Sequence, residues 1–230
     1  MKNKISRLFS VNWLKSFYLN IYYFPITTAL HFPILVGYHV KIENLGSRRS
    51  VVLPEESKLI FATLCFCLKG GPYIMGNKIS MWNIEEGGKI ILKGTARFSK
   101  GTFLSVQKNA TLTIGNQFSS NANLYLQCSN NITLGDDVLL GWNNVIMDSD
   151  GGHPIYDSAS CEVTNRSQPI IIGNHVWLGE GSSVLKGAFI SDGCMLASKA
   201  IASRVYDKPN AIIAGIPGKI IKENIRWEHR

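Results

Sequence analysis

From Ile172 onward an aliphatic or small apolar residue returns at every sixth position: Ile172, Leu178, Val184, Ile190, Leu196 and Ala202. Small residues follow three of these anchors, at Gly173, Gly179 and Ala197, giving the pattern aliphatic, small, x, x, small, x. Leu134, Leu140 and Ile146 repeat the step, and Ile114, Ser120 and Leu126 keep it with a serine in the middle. An α-helix would place anchors three and four apart, and an alternating strand would place them two apart. A six-residue step suits a short strand and a tight turn, repeated three times per triangular coil. Anchors then point inward, and the small residue permits the corner. Coils stacked about 4.8 Å apart pair their backbones and line the anchors into ladders.

The step lies inside a longer repeat. IILKGTARFSKG from Ile90, TLTIGNQFSSNA from Thr111, NITLGDDVLLGW from Asn131 and PIIIGNHVWLGE from Pro169 read alike when aligned on Leu92, Ile114, Leu134 and Ile172. The last gap is the longest and holds one more coil plus an inserted loop at about 148–168. The expected organisation is a non-repetitive region over 1–83, coils over 84–206 and a tail over 207–230. Strands are expected around Val51–Leu53 and Leu59–Leu68. Ile220, Ile221, Ile225 and Trp227 give the tail one apolar side, which predicts a short C-terminal helix.

Composition narrows the class. Apolar residues are 45% and charged residues 17% of the 230, which excludes a disordered chain. The five cysteines (Cys65, Cys67, Cys128, Cys161, Cys194) are odd in number and scattered, so they form no disulfide framework and fit a reducing compartment. No CxxC pair occurs and no closely spaced His pair exists, so no metal is expected. The net charge of +8 raises nucleic acid as a partner, but no binding motif or stacking platform accompanies it, and that class is set aside. The first 40 residues are basic, aromatic and apolar, yet Pro25 and Pro33 interrupt them. They read as a cap or oligomer contact, or else as an interfacial membrane segment in which Lys2, Lys4, Arg7 and Lys15 interleave with Leu8, Phe9, Trp13, Leu14 and Phe17.

The hexapeptides, VWLGEG from Val176, the loop DSDGGHPI from Asp148 and AIIAGIPGKII from Ala211 together resemble the left-handed parallel β-helix acyltransferases. More narrowly, they are similar to the maltose, galactoside and polysaccharide O-acetyltransferases. The resemblance covers about two thirds of the chain, from Ile84 onward. It implies an all-β left-handed β-helix, a homotrimer with sites between neighbouring subunits, acetyl-CoA as cosubstrate and a carbohydrate acceptor. The similar loop histidine in that family is the catalytic base, which implies this role for His153. A sugar hydroxyl is a poor nucleophile, and imidazole can take its proton near neutral pH. Asp148, Asp150 or a backbone carbonyl would orient the ring. Asn121, in FSSNANL, matches an active-site asparagine of the family. The backbone N–H of Gly179 or Glu180 is implied as the oxyanion donor.

Trp177 matches an aromatic position lining the donor or acceptor pocket, with a packed corner aromatic as the rival reading. Ala197, Ser198, Ser203, Arg204, Lys219 and Lys222 fall at positions implied to hold coenzyme A, whose phosphates call for basic residues and backbone donors. His175 reads as an outward surface residue. Cys128 and Ser129 stand where the sugar enzymes have an acidic pair contacting acceptor, so the acceptor is expected to differ. Capsule, exopolysaccharide or lipopolysaccharide modification is the expected setting, in the cytoplasm or peripherally at the inner membrane face. N-acylation of an amino-sugar nucleotide and a non-catalytic β-helix scaffold are the alternatives.

Overall fold

The computed structural model describes residues 10–63 and 79–229. Residues 1–9, 64–78 and 230 are not described, so the first basic residues, Cys65, Cys67 and the end of the strand expected to reach Leu68 lie outside it. Three sheets form the sides of a triangular coil, and the chain visits them in strict rotation. Sheet one stacks Ile34–Val36, Leu59–Phe61, Ala96–Phe98, Phe118–Ser120, Leu139–Leu140, Trp177–Leu178, Met195–Leu196 and Ile212–Ala214. Sheet two stacks Val40–Leu45, Ser80–Ile84, Phe103–Val106, Tyr125–Cys128, Val145–Met147, Ser183–Leu185 and Ile201–Ala202. Sheet three stacks Val51–Val52, Lys89–Leu92, Thr111–Ile114, Asn131–Leu134, Ile170–Ile172, Phe189–Ile190 and Val205–Tyr206. All these neighbours pair in parallel, as Leu134↔Ile172 and Leu140↔Leu178 illustrate.

The anchors of the six-residue step are the interior. Leu178, Val184, Ile190 and Leu196 are fully buried, as are Leu140, Ile146, Ile114 and Leu126. Each such side chain contributes on the order of 1.5–3 kcal/mol of transfer free energy. The small residue after the anchor is needed because the coils touch there. A Cβ on Gly135 would lie 2.6 Å from the carbonyl carbon of Gly173 in the next coil. An Asx ladder closes the same corner: Asp136, Asn174 and Asp192 each accept a backbone N–H from the coil before.

Two expectations are corrected. The coils begin at Ile34, not at residue 84, because the strands at Ile34–Val36, Val40–Leu45, Val51–Val52 and Leu59–Phe61 already belong to the three sheets. Their interior is aromatic: Phe61 meets Trp82 edge-on at 5.4 Å and Phe98 at 5.7 Å. A bulge between Ile42 and Asn44 breaks the spacing. The helix expected in the tail is a strand: Lys219–Lys222 pairs antiparallel with Ile212–Ala214. That last strand of sheet one offered an open row of backbone donors and acceptors, and a β-branched KIIK segment satisfies it better than a short helix would.

The opposite end is closed by a helix at Trp13–Tyr23, capped by Asn12, whose side chain accepts from the Lys15 N–H. Its buried face covers the edge of the first strand. Asn20 accepts from Ile34 N–H and donates to Ile34 C=O, while Ser16 Oγ accepts from Val36 N–H. Trp13, Leu14, Phe17 and Tyr18 face outward. No helix among the described residues is long and apolar enough to cross a membrane.

Candidate active site

The residues implied as functional sort onto corners of the triangle. Asn121, Gly179, Glu180, Ala197 and Ser198 share the corner between sheets one and two. There Asn121, Gly179 and Ala197 occupy the same position in different coils, and each donates its backbone N–H to the coil beyond: to Leu140, Leu196 and Ile213. This commits the Gly179 amide at 2.7 Å and removes it as an oxyanion donor. The Glu180 amide makes no such bond among the described residues, and Glu180 itself is exposed. Two residues on from Asn121, Asn123 adopts a left-handed backbone and donates to Asn143 Oδ1 at 3.0 Å, so that asparagine builds the corner.

His153 sits at a different corner, between sheets two and three, where the loop at 148–168 leaves the coil. The loop has internal order. Tyr156 bridges Val163, Asp157 accepts from the Ala159 and Ser160 amides, and Thr164 N–H donates to Ile155 C=O. The Asn165 side chain holds the backbone on the C-terminal side of His153, donating to the His153 carbonyl at 2.9 Å and accepting from Ile155 N–H at 2.8 Å. The imidazole is exposed, and no described side chain bonds it. At the loop's start a Cβ on Gly151 would touch Met147 at 3.3 Å and Gln127 at 3.7 Å, so the loop leaves alongside the outer face of sheet two.

Neither aspartate orients His153. Asp148 is fully buried and turned into the coil. It accepts from Ser129 N–H at 2.6 Å and from Asn130 N–H at 2.8 Å, and its carbonyl receives Gln168 N–H. It thereby pins both ends of the loop. Asp150 pairs with Lys186 of the next coil at 2.7 Å, and that contact holds its pKa below the ordinary carboxylate value. Cys128 is buried against Asp148. Burial, reinforced by the Asp148 charge, pushes its thiol up to about 12. It cannot present itself to an acceptor, whereas Ser129 Oγ lies 2.9 Å from Ser149 Oγ nearer the surface.

Of the remaining donor-site positions, Ser203 and Arg204 are exposed at the corner between sheets two and three, after Ile201–Ala202. Lys219 and Lys222 are exposed on the antiparallel terminal strand. Trp177 lies half-buried on the outer face of sheet one, its ring 6.0 Å from that of Trp227.

The third corner, between sheets three and one, carries a cluster in which the sequence alone reads His175 as an outward surface residue and assigns no role to Asp137 or His229. His175 Nδ1 lies 2.7 Å from Asp137 Oδ2, its Nε2 lies 3.0 Å from Trp227 O, and its ring stacks on Trp227 at 3.9 Å. Trp227 Nε1 donates to the His175 carbonyl at 3.0 Å, and His229 Nε2 lies 2.8 Å from Asp137 Oδ1. Asp137 bonding raises the His175 pKa. Partial burial pushes Asp137 up, but its bonds to His175 and His229 outweigh this and leave it below the ordinary value. A signal existed: aligning LGDDVLLGW with IGNHVWLGE puts Asp137 and His175 at the same repeat position, hence one above the other.

No protein-family model matches the chain. Galactoside O-acetyltransferase of Escherichia coli (strain K12) is 33% identical over 117 residues, covering 50% of this chain and 56% of that protein. Polysialic acid O-acetyltransferase of Neisseria meningitidis is 30% identical over 186 residues, covering 80% of this chain and 77% of that protein. The chain thus spans little more than half the length of the galactoside enzyme. Among solved structures, the polySia specific acetyltransferase NeuO shares the fold, with a TM-score of 0.54 at 24% identity over 84% of this chain and 90% of that one. The rotation of the described strands through three parallel sheets, the loop inserted into it and the extent of the Neisseria match together place this chain in the hexapeptide-repeat O-acetyltransferase family, whose fold is the left-handed parallel β-helix.

Proposed function

We propose that the chain transfers an acetyl group from acetyl-CoA to a carbohydrate hydroxyl, with His153 as general base. The observation that carries this reading is the placement of His153. Among the described residues, the long excursion at 148–168 exposes an imidazole beside sheet two, with the backbone just after it held by Asn165. His153 takes the proton of the acceptor hydroxyl, whose oxygen attacks the thioester carbonyl. The tetrahedral oxyanion collapses, the C–S bond breaks, and the proton passes to the departing thiolate. The Glu180 N–H is the donor for the oxyanion, since the Gly179 amide is committed. With both aspartates engaged, a backbone carbonyl is the alternative that remains for orienting the ring.

Asn121 and His153 stand at opposite edges of sheet two, whose outer face presents half-buried Tyr125, Val145, Met147, Leu185 and Ile201. A homotrimer packed through this face would bring the Asn121 corner of one copy against the His153 loop of the next. The donor then runs past Trp177, Ala197 and Ser198, with Ser203, Arg204, Lys219 and Lys222 around its phosphates. The outward Trp13, Leu14, Phe17 and Tyr18 suit contact with a membrane surface. A lipid-linked or polymeric acceptor in cell-surface polysaccharide modification fits that arrangement.

The test is acetyl transfer by His153→Ala against a panel of capsular and lipopolysaccharide glycans. General-base removal predicts a loss of about 10²–10⁴ in kcat with acetyl-CoA binding retained. Full activity in the variant would overturn the assignment.

A further inference from the structure

We infer that Asp137, His175 and His229 form a binding site for one divalent ion of the zinc class, which clamps the C-terminal tail to the coil. The site does not depend on the acetyl-transfer reading. It departs from the expectation of no metal, which rested on the distance between the histidines along the sequence.

The donor atoms already converge. His175 Nδ1, His229 Nε2 and the Asp137 carboxylate lie within 4.8 Å of one another, with contacts of 2.7 and 2.8 Å to the two carboxylate oxygens. A tetrahedral zinc ion with bonds of about 2.0–2.1 Å holds its donors roughly 3.4 Å apart, so admitting one needs shifts under about 1 Å. Two imidazoles and a carboxylate are borderline donors of the type zinc prefers, and a water completes the fourth position.

The surroundings are those of a ligating imidazole. Nε2–H of His175 is given to the Trp227 carbonyl at 3.0 Å, and the ring is clamped flat against Trp227. A carbonyl on the far ring nitrogen is what fixes the tautomer and aims the other lone pair. Here it aims Nδ1 at Asp137; in the metal-free chain Nδ1 donates its proton to that carboxylate, and the ion replaces that proton, which is released to solvent. The corner is locally acidic in a chain of net charge +8, because Asp136 and Asp192 share it, while Arg226 is occupied by Glu228. The three ligands come from two successive coils and the tail, so one ion joins all three. The corner is not the one that carries His153, which makes the ion a clamp and not a participant in acyl transfer.

The test is calorimetric titration of the chelator-treated full chain with zinc, alongside Asp137→Asn, His229→Gln and His153→Ala. Cobalt(II) serves as a spectroscopic probe of tetrahedral coordination. The expected result is one zinc whose affinity falls at least about tenfold in Asp137→Asn and in His229→Gln and is unchanged in His153→Ala. The tetrahedral cobalt bands should vanish in His229→Gln. That substitution lies in the exposed tail, and circular dichroism confirms that the coils stay intact. No zinc binding, or equal binding by wild type, Asp137→Asn and His229→Gln, would overturn the site.

Discussion

Asp148 and Asp150 stand two positions apart at the root of the same loop, and their surroundings give them opposite weight. Asp148 is fully buried beneath two backbone amides that have no other acceptor, and Asp150 is a solvent-exposed partner of Lys186. Removing the first carboxylate leaves two part-buried amide donors without their acceptor, and charge-assisted bonds of this kind are worth about 1.5–3 kcal/mol each. Asp148→Ala should therefore lower unfolding free energy by about 3 kcal/mol, whereas Asp150→Ala should leave it essentially unchanged. Paired urea melts measure both, and equal effects would contradict the geometry. The inward aim of Asp148 was legible: it follows Ile146 by two, as Cys128 follows Leu126, and alternation points both inside. His153 needed more than alternation, because only the broken register singles it out from the other histidines. The Asp137–His175 stack was legible from the aligned repeats, but His229 was not, since nothing in the sequence says where a tail returns.

At the scale of elements, the coils from 84 onward could be read because identical turns impose identical spacing. Leu178, Val184, Ile190 and Leu196 follow it without a gap. The earlier coils escape that reading because wide aromatic side chains fill them and their strands differ in length. Val40–Leu45 has six residues and a bulge, and Val51–Val52 has two. The tail escaped because Ile220, Ile221, Ile225 and Trp227 satisfy a helical spacing on paper, while the open edge of Ile212–Ala214 selects a strand. Beyond that strand, the tail is held by Ile225 N–H on Asn210 C=O and by the Trp227–His175 stack. Trp227→Ala should accelerate amide exchange at Ile225 by about tenfold or more, which corresponds to a loss of about 1.4 kcal/mol in local stability, with the anchors of the coils unaffected. Unchanged exchange at Ile225 would mean that the stack does not hold the tail.

On the scale of the whole molecule, a rigid stack of coils separates its surfaces by function. One end is closed by the Trp13–Tyr23 helix over an aromatic interior, and the other by the antiparallel tail strand. The His153 loop and the Asn121 corner flank sheet two, and the residues proposed for coenzyme A gather toward the C-terminal coils. Coenzyme A carries several negative charges, and Arg204, Lys219 and Lys222, proposed to meet them, are exposed. An activity assay depends on choosing the right acceptor, whereas donor binding does not. The measurement that tests the account most directly is therefore calorimetric titration of the full chain with acetyl-CoA across a salt series. Saturable binding of one molecule per chain, weakened as salt rises, is the predicted result. Absence of binding at millimolar acetyl-CoA would contradict the account.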